Sequence, residues 1–304
     1  MKILFHVGVG NTDRPYRWSF INELYSNLAR TFESLGHESL VWYHTSAMSP
    51  NMYKNNMSSI GVSPKELEIA KNFKPDWVFT WNGSSEGDKR IIEEFGKENM
   101  VFSELAFFDH YKTIFFDFEG VNGYSENLTC ELLPFNNEMY LEIKNKHIKP
   151  RLFLDDYIFV PLQDEKDTNI TQHSPIKKMD ELLQYVEDNI VEEGVKVLFK
   201  KHPMAPCETK NRNNFIEVTG DIHHYLPYAK KIVGINSTAL LEALIYTNEV
   251  VTLGKGITSR VFAKDENKQY ITHLKTKQFY WDELNNVETI RNSYFYNKML
   301  NKQN

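Results

Sequence analysis

The chain has 304 residues, of which 41% are hydrophobic and 25% charged, and its formal net charge is −6. This length exceeds most single cores and suits two domains, and the ordinary globular composition argues against a disordered protein. The negative charge argues against a general nucleic-acid binder, although a local basic patch stays open. The two cysteines are far apart in sequence and form no CxxC pair, which argues against a disulfide framework or a zinc site and fits a reducing compartment.

The first predicted strand, KILFHVGV, belongs to an apolar run that is too short for a signal peptide, and no later window approaches a membrane span. We therefore expect a cytoplasmic protein, with peripheral association at the inner face of the membrane left open. The GVGN run at 8–11 does not match G-x-G-x-x-G, so it is weak evidence for a dinucleotide site.

Strand and helix patterns alternate through the first half of the chain. After KILFHVGV the predicted strands are ESLVWYHT, DWVFTWNG and MVFSEL, and the predicted helices between them are WSFINELYSNLARTFESLGH, SPKELEIAKNFKP and DKRIIEEFGKEN. Such alternation predicts a parallel sheet with helices on both faces.

The alternation restarts after residue 150. The predicted strands are DDYIFVPLQ, VKVLFKKHP, NFIEVTG, KIVGIN and EVVTLG, and the predicted helices are SPIKKMDELLQYVEDNIVEEG, IHHYLPYAK and STALLEALIYT. We predict an α/β protein with two Rossmann-type domains and a ligand in the cleft between them. The predicted domains are 1–150 and 151–285, and residues 286–304 form an aromatic helix. That helix either packs back on the N-terminal domain, which we prefer, or contacts a membrane.

Basic residues follow the predicted strand VKVLF. Lys200, Lys201 and His202 fall at the carboxyl end of this strand, and Pro203 fixes the direction of the chain beyond it. Cations and hydrogen-bond donors at this edge suit a phosphate group. A solvated basic loop explains the same residues equally well.

A second feature suited to phosphate binding follows the strand KIVGI. Asn236, Ser237 and Thr238 can each cap the next helix, whose first turn offers free N–H groups. Plain capping is the alternative. Glu242 lies one turn further on, where its carboxylate either contacts a ribose or only complements the helix start.

Acidic and amide side chains complete the predicted site. Gln163 and Asp167 follow the strand YIFVPL, where a carboxylate suits a base or nucleophile, and a polar loop with an aspartate turn is the alternative. In the first domain Glu104 follows a strand and is a candidate acid/base. Asn82 with Gly83, and Asn122, occupy turn-like segments beside the predicted cleft. The sequence lacks HExxH, Walker, GxSxG and DxD patterns, so we expect a reaction without a metal or bound cofactor.

Taken in order, several segments resemble the bacterial capsule and lipopolysaccharide biosynthesis transferases that transfer 3-deoxy-manno-octulosonic acid (Kdo) from CMP-Kdo with retention. The matching segments are WNG, SELAFF, FFDFEGVNG, VPLQDEKDTN, KKHP, INSTALLEAL and VVTLGKG. The resemblance covers roughly residues 75–260 and implies a GT-B-like fold, CMP-Kdo as donor substrate, and an oligosaccharide or glycolipid as acceptor.

The resemblance also implies roles for individual residues. Asp167 would be the nucleophile that forms a covalent glycosyl-enzyme adduct, and Glu104 the acid/base. His202 with Lys201, and Ser237 with Thr238, would bind the phosphate of the nucleotide. Glu242 would lie near the ribose or base, and Gln163 would line the donor pocket.

Other functions remain open on the sequence alone. A GT-B transferase that uses CMP-sialic acid or a UDP-sugar is the first alternative. A non-catalytic protein of the capsule pathway that binds a sugar nucleotide is the second. A two-domain protein whose strand-end residues serve only as caps and turns is the third.

Overall fold

The computed structural model describes residues 1–7, 15–44, 52–59, 61–247, 249–260, 262 and 266–302. The GVGN run at 8–11 lies outside them. The strands of the described chain are β1 Lys2–His6, β2 Glu38–His44, β3 Asn56–Ser59, β4 Trp77–Trp81, β5 Met100–Leu105, β6 Thr113–Asp117, β7 Tyr157–Pro161, β8 Lys196–Lys200, β9 Phe215–Glu217, β10 Lys231–Gly234, β11 Val250–Thr252 and β12 Gln278–Tyr280. Its α-helices are α1 Pro15–Ser34, α2 Pro64–Phe73, α3 Glu86–Phe95, α4 Asn137–His147, α5 Thr168–His173, α6 Met179–Asn189, α7 Thr238–Ala243, α8 Glu266–Lys277, α9 Val287–Arg291 and α10 Tyr294–Asn301.

The chain divides into two compact units. The first comprises Met1–Val121 and Lys277–Asn304, and the second comprises Asn122–Thr276. Residues 122–150 thus join the second unit, whereas the sequence places the division near residue 150. One reason is α4, whose Tyr140 hydroxyl donates a 2.7 Å hydrogen bond to the carbonyl of Ile245.

The first unit is built on a mixed sheet. Within the described residues it has seven strands in the order β12-β6-β5-β4-β1-β2-β3. The pairs from β3 to β5 are parallel, as the sequence predicts, but β6 pairs antiparallel with β5, and β12 antiparallel with β6. The expectation of an all-parallel first sheet is therefore wrong at this edge. The short β3, β6 and β12 do not follow the strand–helix alternation on which that expectation rests.

The aromatic carboxyl-terminal segment belongs to the core of the first unit. Phe295 and Met299 of α10 are fully buried in the cluster that also contains Phe116. The rings of Phe116 and Phe295 lie 4.4 Å apart. These apolar side chains are removed from water by packing within the unit.

The second unit has a fully parallel sheet that is covered on both faces. Its order is β11-β10-β7-β8-β9 within the described residues. Along β7, Ile158 and Val160 pack in one buried cluster and Tyr157 and Phe159 in another. Alternate side chains thus enter cores on opposite faces, which is why the strand sequence is continuously apolar. Over the ranges described, no helix combines the length and apolar character that crossing a membrane requires.

Candidate functional site

The ends of three neighbouring strands bring predicted site residues into one row. In the sheet register Pro161 of β7 lies opposite Lys200 of β8, and Phe159 lies opposite Ile232 of β10. Gln163 and His202 each stand two residues beyond Pro161 and Lys200, and Asn236 stands two residues beyond Gly234, the last residue of β10. Adjacent strands lie about 4.8 Å apart, so the three residues are neighbours at the carboxyl edge of the sheet. The sequence prediction that these segments share one edge is confirmed.

Gln163 and Asn236 form a buried pair of amides. The side-chain nitrogen of Gln163 donates to Asn236 Oδ1, and the backbone N–H of Asn236 donates to Gln163 Oε1, both at 3.1 Å. Asn236 Nδ2 also donates to the carbonyls of Asn169 and Lys255. Both amide hydrogens of Asn236 and one lone pair of its Oδ1 are thereby used, and the buried side chain connects Gln163, helix α5 and the loop at Lys255. A nucleotide contact by its side chain stays a prediction that this geometry does not favour.

Asp167 is held by a turn and caps a helix. The Asp164 carboxylate accepts from the N–H of Lys166, and the Asp164 carbonyl accepts from the N–H of Asp167. Asp167 is then the N-cap of α5, and its Oδ1 accepts from the N–H of Asn169 at 2.8 Å. The aspartate turn expected as the alternative is therefore present. Because only Oδ1 makes this contact, it leaves Oδ2 of the half-buried side chain for chemistry.

The lysine–histidine–proline segment forms a turn just after β8. The N–H of Met204 donates to Nδ1 of His202 at 3.3 Å, which places the proton of a neutral imidazole on Nε2. Lys201 pairs with Glu217, with Nζ and Oε2 3.0 Å apart. The charge of Lys201 is therefore already partly compensated.

The start of α7 is capped as the sequence predicts. Ser237 is the N-cap, and its hydroxyl accepts from the N–H of Ala239 at 3.2 Å. The side chain of Thr238 is half-buried on the first turn. The hydroxyl proton of Ser237 stays available for a ligand, since its cap contact uses only an oxygen lone pair.

Glu242 contacts a histidine that the sequence did not predict as its partner. Its carboxylate lies 3.2 Å from Nε2 of His223, whose Nδ1 lies 3.2 Å from the hydroxyl of Tyr246. His223 also stacks on His147, with ring centroids 4.8 Å apart. Burial first, and then the nearby Glu242, raise the pKa of Tyr246 above its usual range. His223 is one of the two consecutive histidines in IHHYLPYAK, and that pair is the sequence feature that could have indicated this cluster. A ribose contact by Glu242 stays a prediction.

In the first unit, a constrained turn aims an amide at Glu104. Asn82 and Gly83 both have left-handed backbone angles, with φ of 62° and 76°. A Cβ at Gly83 would lie 2.6 Å from the ring of Phe102, so only glycine fits there. Asn82 Nδ2 donates to Glu104 Oε2 at 2.6 Å, and the N–H of Leu105 donates to Oε1. Left-handed backbone angles are uncommon outside glycine, and asparagine adopts them more readily than most residues.

Asn122 begins the second unit beside α5. It too is left-handed, with φ of 55°, and its Nδ2 lies 3.5 Å from the hydroxyl of Thr168. A Cβ at Gly123 would lie 2.7 Å from Nδ1 of His173. The turn at 122–124 therefore runs along α5 from its first residue to its last. The sequence had assigned Asn122 to the cleft without identifying His173.

Comparison with solved structures concerns the fold first. Over 94% of this chain and 99% of the other, the structure matches KpsC from Thermosulfurimonas dismutans, a β-Kdo 2,7-transferase, with a TM-score of 0.56 and 16% identity. A β-Kdo 2,4-transferase structure of KpsC from the same organism matches with a TM-score of 0.51 and 12% identity, over 92% of this chain and 97% of the other. The chain has the GT-B fold of glycosyltransferases.

Sequence comparison then identifies the family resemblance. Residues 141–278 match the family described as capsule polysaccharide biosynthesis protein. Protein FixF of Sinorhizobium fredii (strain NBRC 101917 / NGR234) is 26% identical over 204 residues, which are 59% of this chain and 49% of FixF. The match thus spans about half the length of that relative. The resemblance to capsule-biosynthesis transferases that the motifs indicated is confirmed.

Proposed function

We propose that the protein transfers Kdo, or a related ulosonic acid, from a CMP-activated donor to a sugar hydroxyl of a growing surface polysaccharide, with retention. The observation that carries the proposal is the row at the carboxyl edge of the second sheet, with His202 on one strand end and Asp167 following its neighbour. Both residues lie within the segment that matches the capsule family. The acceptor is an oligosaccharide or glycolipid, and no nucleic acid takes part.

The proposed reaction has two displacements. Oδ2 of Asp167 attacks the anomeric carbon of the donor sugar, and the bond from that carbon to the phosphate oxygen breaks. CMP leaves with the bonding electrons, and the sugar stays esterified to Asp167. Glu104 then accepts the proton of the acceptor hydroxyl, whose oxygen attacks the same carbon and releases the Asp167 carboxylate. Two inversions at one carbon give net retention.

The phosphate needs donors as it leaves with negative charge. The Nε2–H of His202 and the hydroxyls of Ser237 and Thr238 are the groups proposed for this role. Donors that contact the developing charge lower the barrier to departure. No step calls for a metal ion, so a chelator is expected to leave the rate unchanged.

Nucleotide binding tests the proposal and its nearest alternative together. We expect CMP to bind more tightly than UDP, and His202→Ala to weaken CMP binding about tenfold, the effect of losing one charge-assisted hydrogen bond. His202→Asn keeps an acceptor for the N–H of Met204 but loses Nε2, so it separates phosphate binding from folding. The matched control is His224→Ala, because the ring of His224 hydrogen-bonds to the carbonyl of Pro150 and has no part in the proposed site.

The outcomes discriminate between the candidate functions. Tighter binding of UDP than of CMP would indicate a transferase with a different nucleotide sugar. Unchanged CMP affinity in both His202 variants would contradict the phosphate role. Normal CMP-Kdo binding without any transfer or CMP release would favour the non-catalytic protein of the capsule pathway.

A further inference from the structure

A row of exposed apolar side chains lies in the second unit, on the segment that connects α4 to β7. Ile148, Leu152 and Leu154 are 46%, 60% and 82% exposed, and Pro150 between them is exposed as well. Single apolar residues on a surface are ordinary and need no explanation. Four of them at every second position of one short segment are a pattern, and none of the roles discussed above uses it.

The alternation along this segment turns the two leucines outward. Phe153, which stands between them, packs against a buried cluster of the second unit, and its ring centroid lies 5.6 Å from that of Tyr157. Successive side chains of an extended chain point to opposite sides. The core contact of Phe153 therefore directs Leu152 and Leu154 away from the core.

Hydrogen bonds hold the segment in place from its inner side. The hydroxyl of Tyr228 donates to the carbonyl of Lys149 at 2.6 Å, and the ring of His224 donates to the carbonyl of Pro150 at 2.8 Å. The apolar row is thus presented by a fixed backbone. A partner that binds this row has less backbone entropy to remove than it would on a free loop.

Helix α4 extends the same surface. Leu141 is 43% exposed, and it precedes Lys144 by three residues and Ile148 by seven. Residues at these spacings lie on one side of a helix, and Ile148 is the C-cap of α4. The opposite side carries the buried Tyr140 and Ile143. Apolar and basic side chains therefore run together from α4 onto the connecting segment.

The surface is basic, although the chain as a whole carries a net charge of −6. Residues 144–154 contain no aspartate or glutamate, and their basic residues are Lys144, Lys146, Lys149 and Arg151. Asp155 and Asp156 follow, but they lie 2.7 Å from Lys196 and 2.9 Å from Lys230. One cation, Lys149, is compensated by Asp221 at 2.7 Å. The local balance of charge is positive and favours an anionic partner.

We propose that this basic and apolar surface, residues 141–154, binds the face of a bilayer that contains anionic lipids. Apolar side chains of an interfacial segment enter the boundary between headgroups and acyl chains, and neighbouring cations contact the lipid phosphates. A second copy of the chain fits less well, because a two-fold contact would bring the cations of both copies together. The inference goes beyond the transfer reaction and does not depend on which sugar nucleotide is the donor.

Vesicle sedimentation with the whole chain tests the proposal. The vesicles are phosphatidylcholine alone, or phosphatidylcholine with about one-third phosphatidylglycerol, in about 0.1 M salt. We expect wild type to bind the anionic vesicles at least tenfold more tightly than the neutral ones. Leu152→Ser combined with Leu154→Ser should weaken this binding about tenfold or more. Lys144→Gln combined with Lys146→Gln should weaken it roughly fivefold for each cation removed.

The controls separate this surface from general exposure and from catalysis. Ile69→Ser combined with Tyr111→Ser changes two side chains of the first unit that are 44% and 54% exposed, and Ile69 shares α2 with Glu66 and Glu68. This variant should bind as wild type does. Asp167→Asn should also bind as wild type does, so vesicle binding and sugar transfer are tested separately. The melting temperature of each variant checks that it is folded.

Three results would overturn the proposal. The first is wild-type protein that does not sediment with anionic vesicles. The second is a folded Leu152→Ser and Leu154→Ser variant that binds them as tightly as wild type. The third comes from light scattering: a wild-type dimer that the same two substitutions convert to a monomer would assign the surface to a second copy of the chain.

Discussion

Asp167 has a structural role and a proposed chemical role, and different substitutions can separate the two. Its Oδ1 caps α5 by accepting from the N–H of Asn169, while its role as nucleophile needs an ionised carboxylate. Asp167→Asn retains an oxygen for the cap, and asparagine caps helices about as well as aspartate. Asp167→Ala removes both functions. We therefore expect both variants to lose transfer and only the alanine variant to lose stability.

The magnitudes follow from the two roles. Loss of the cap costs about 1 kcal/mol, which lowers the melting temperature by about 2 °C for a chain of this size. Loss of a nucleophile costs about 10⁴-fold or more in turnover. Thermal unfolding measures the first effect, and transfer from CMP-Kdo to an acceptor glycan measures the second.

Two results would refute this reasoning. Transfer by Asp167→Asn within about tenfold of wild type would remove Asp167 from the chemistry, because an amide is not a comparable nucleophile. A melting temperature for Asp167→Ala equal to that of wild type would show that the cap contributes no stability. The asparagine variant is the matched control for both arms.

Three further predictions concern other parts of the two units. Glu104→Gln keeps an acceptor for Asn82 but should slow transfer about 10²–10⁴-fold and leave the adduct to accumulate; transfer at the wild-type rate would exclude it as the base. Gly123→Ala should lower the free energy of unfolding, measured with urea, by about 1–3 kcal/mol, because the new Cβ would clash with the His173 ring. The loss should be smaller in a His173→Ala background, and equal losses in the two backgrounds would count against the clash. The lowered pKa of His173 means that the unfolded state binds a proton first as pH falls. The contribution of neutral His173 to the free energy of unfolding is therefore intact above about pH 6.5, and it is lost as pH falls through the lowered pKa. We expect wild type to lose more unfolding free energy over this pH window than His173→Gln. An equal loss in the two proteins would contradict the assignment.

The sequence was most informative where the fold is most regular. A parallel sheet forces the ends of successive strands to one edge, so the neighbourhood of Gln163, His202 and Asn236 followed from strand patterns alone. A cap at the start of α7 was also predicted, but the sequence left Asn236, Ser237 and Thr238 as candidates, and the structure selects Ser237. The paired Glu242 could not be predicted, because its partner His223 comes from a turn whose position depends on packing.

The pairing of strands that are distant in sequence could not be predicted from the sequence pattern either. Strand β12 returns after the whole second unit to pair with β6, and the sequence near Phe279 carries no sign of that partner. The turn containing Asn122 contacts α5 rather than extending the first unit, so the division of the chain falls earlier than composition indicates. Helix α5 itself is short and polar, and its pattern resembles a loop. Its importance became visible only through the contacts of Asp167 and His173.

The most direct test of the central claim is the intact mass of the protein after mixing with CMP-Kdo and no acceptor. Wild-type protein and Asp167→Asn are compared side by side, with released CMP measured in the same samples. A mass increase of one Kdo residue in wild type, absent from Asp167→Asn, is the result that the double displacement predicts. Release of CMP without any adduct would contradict Asp167 as the covalent nucleophile, and no adduct together with no CMP release would contradict CMP-Kdo as the donor.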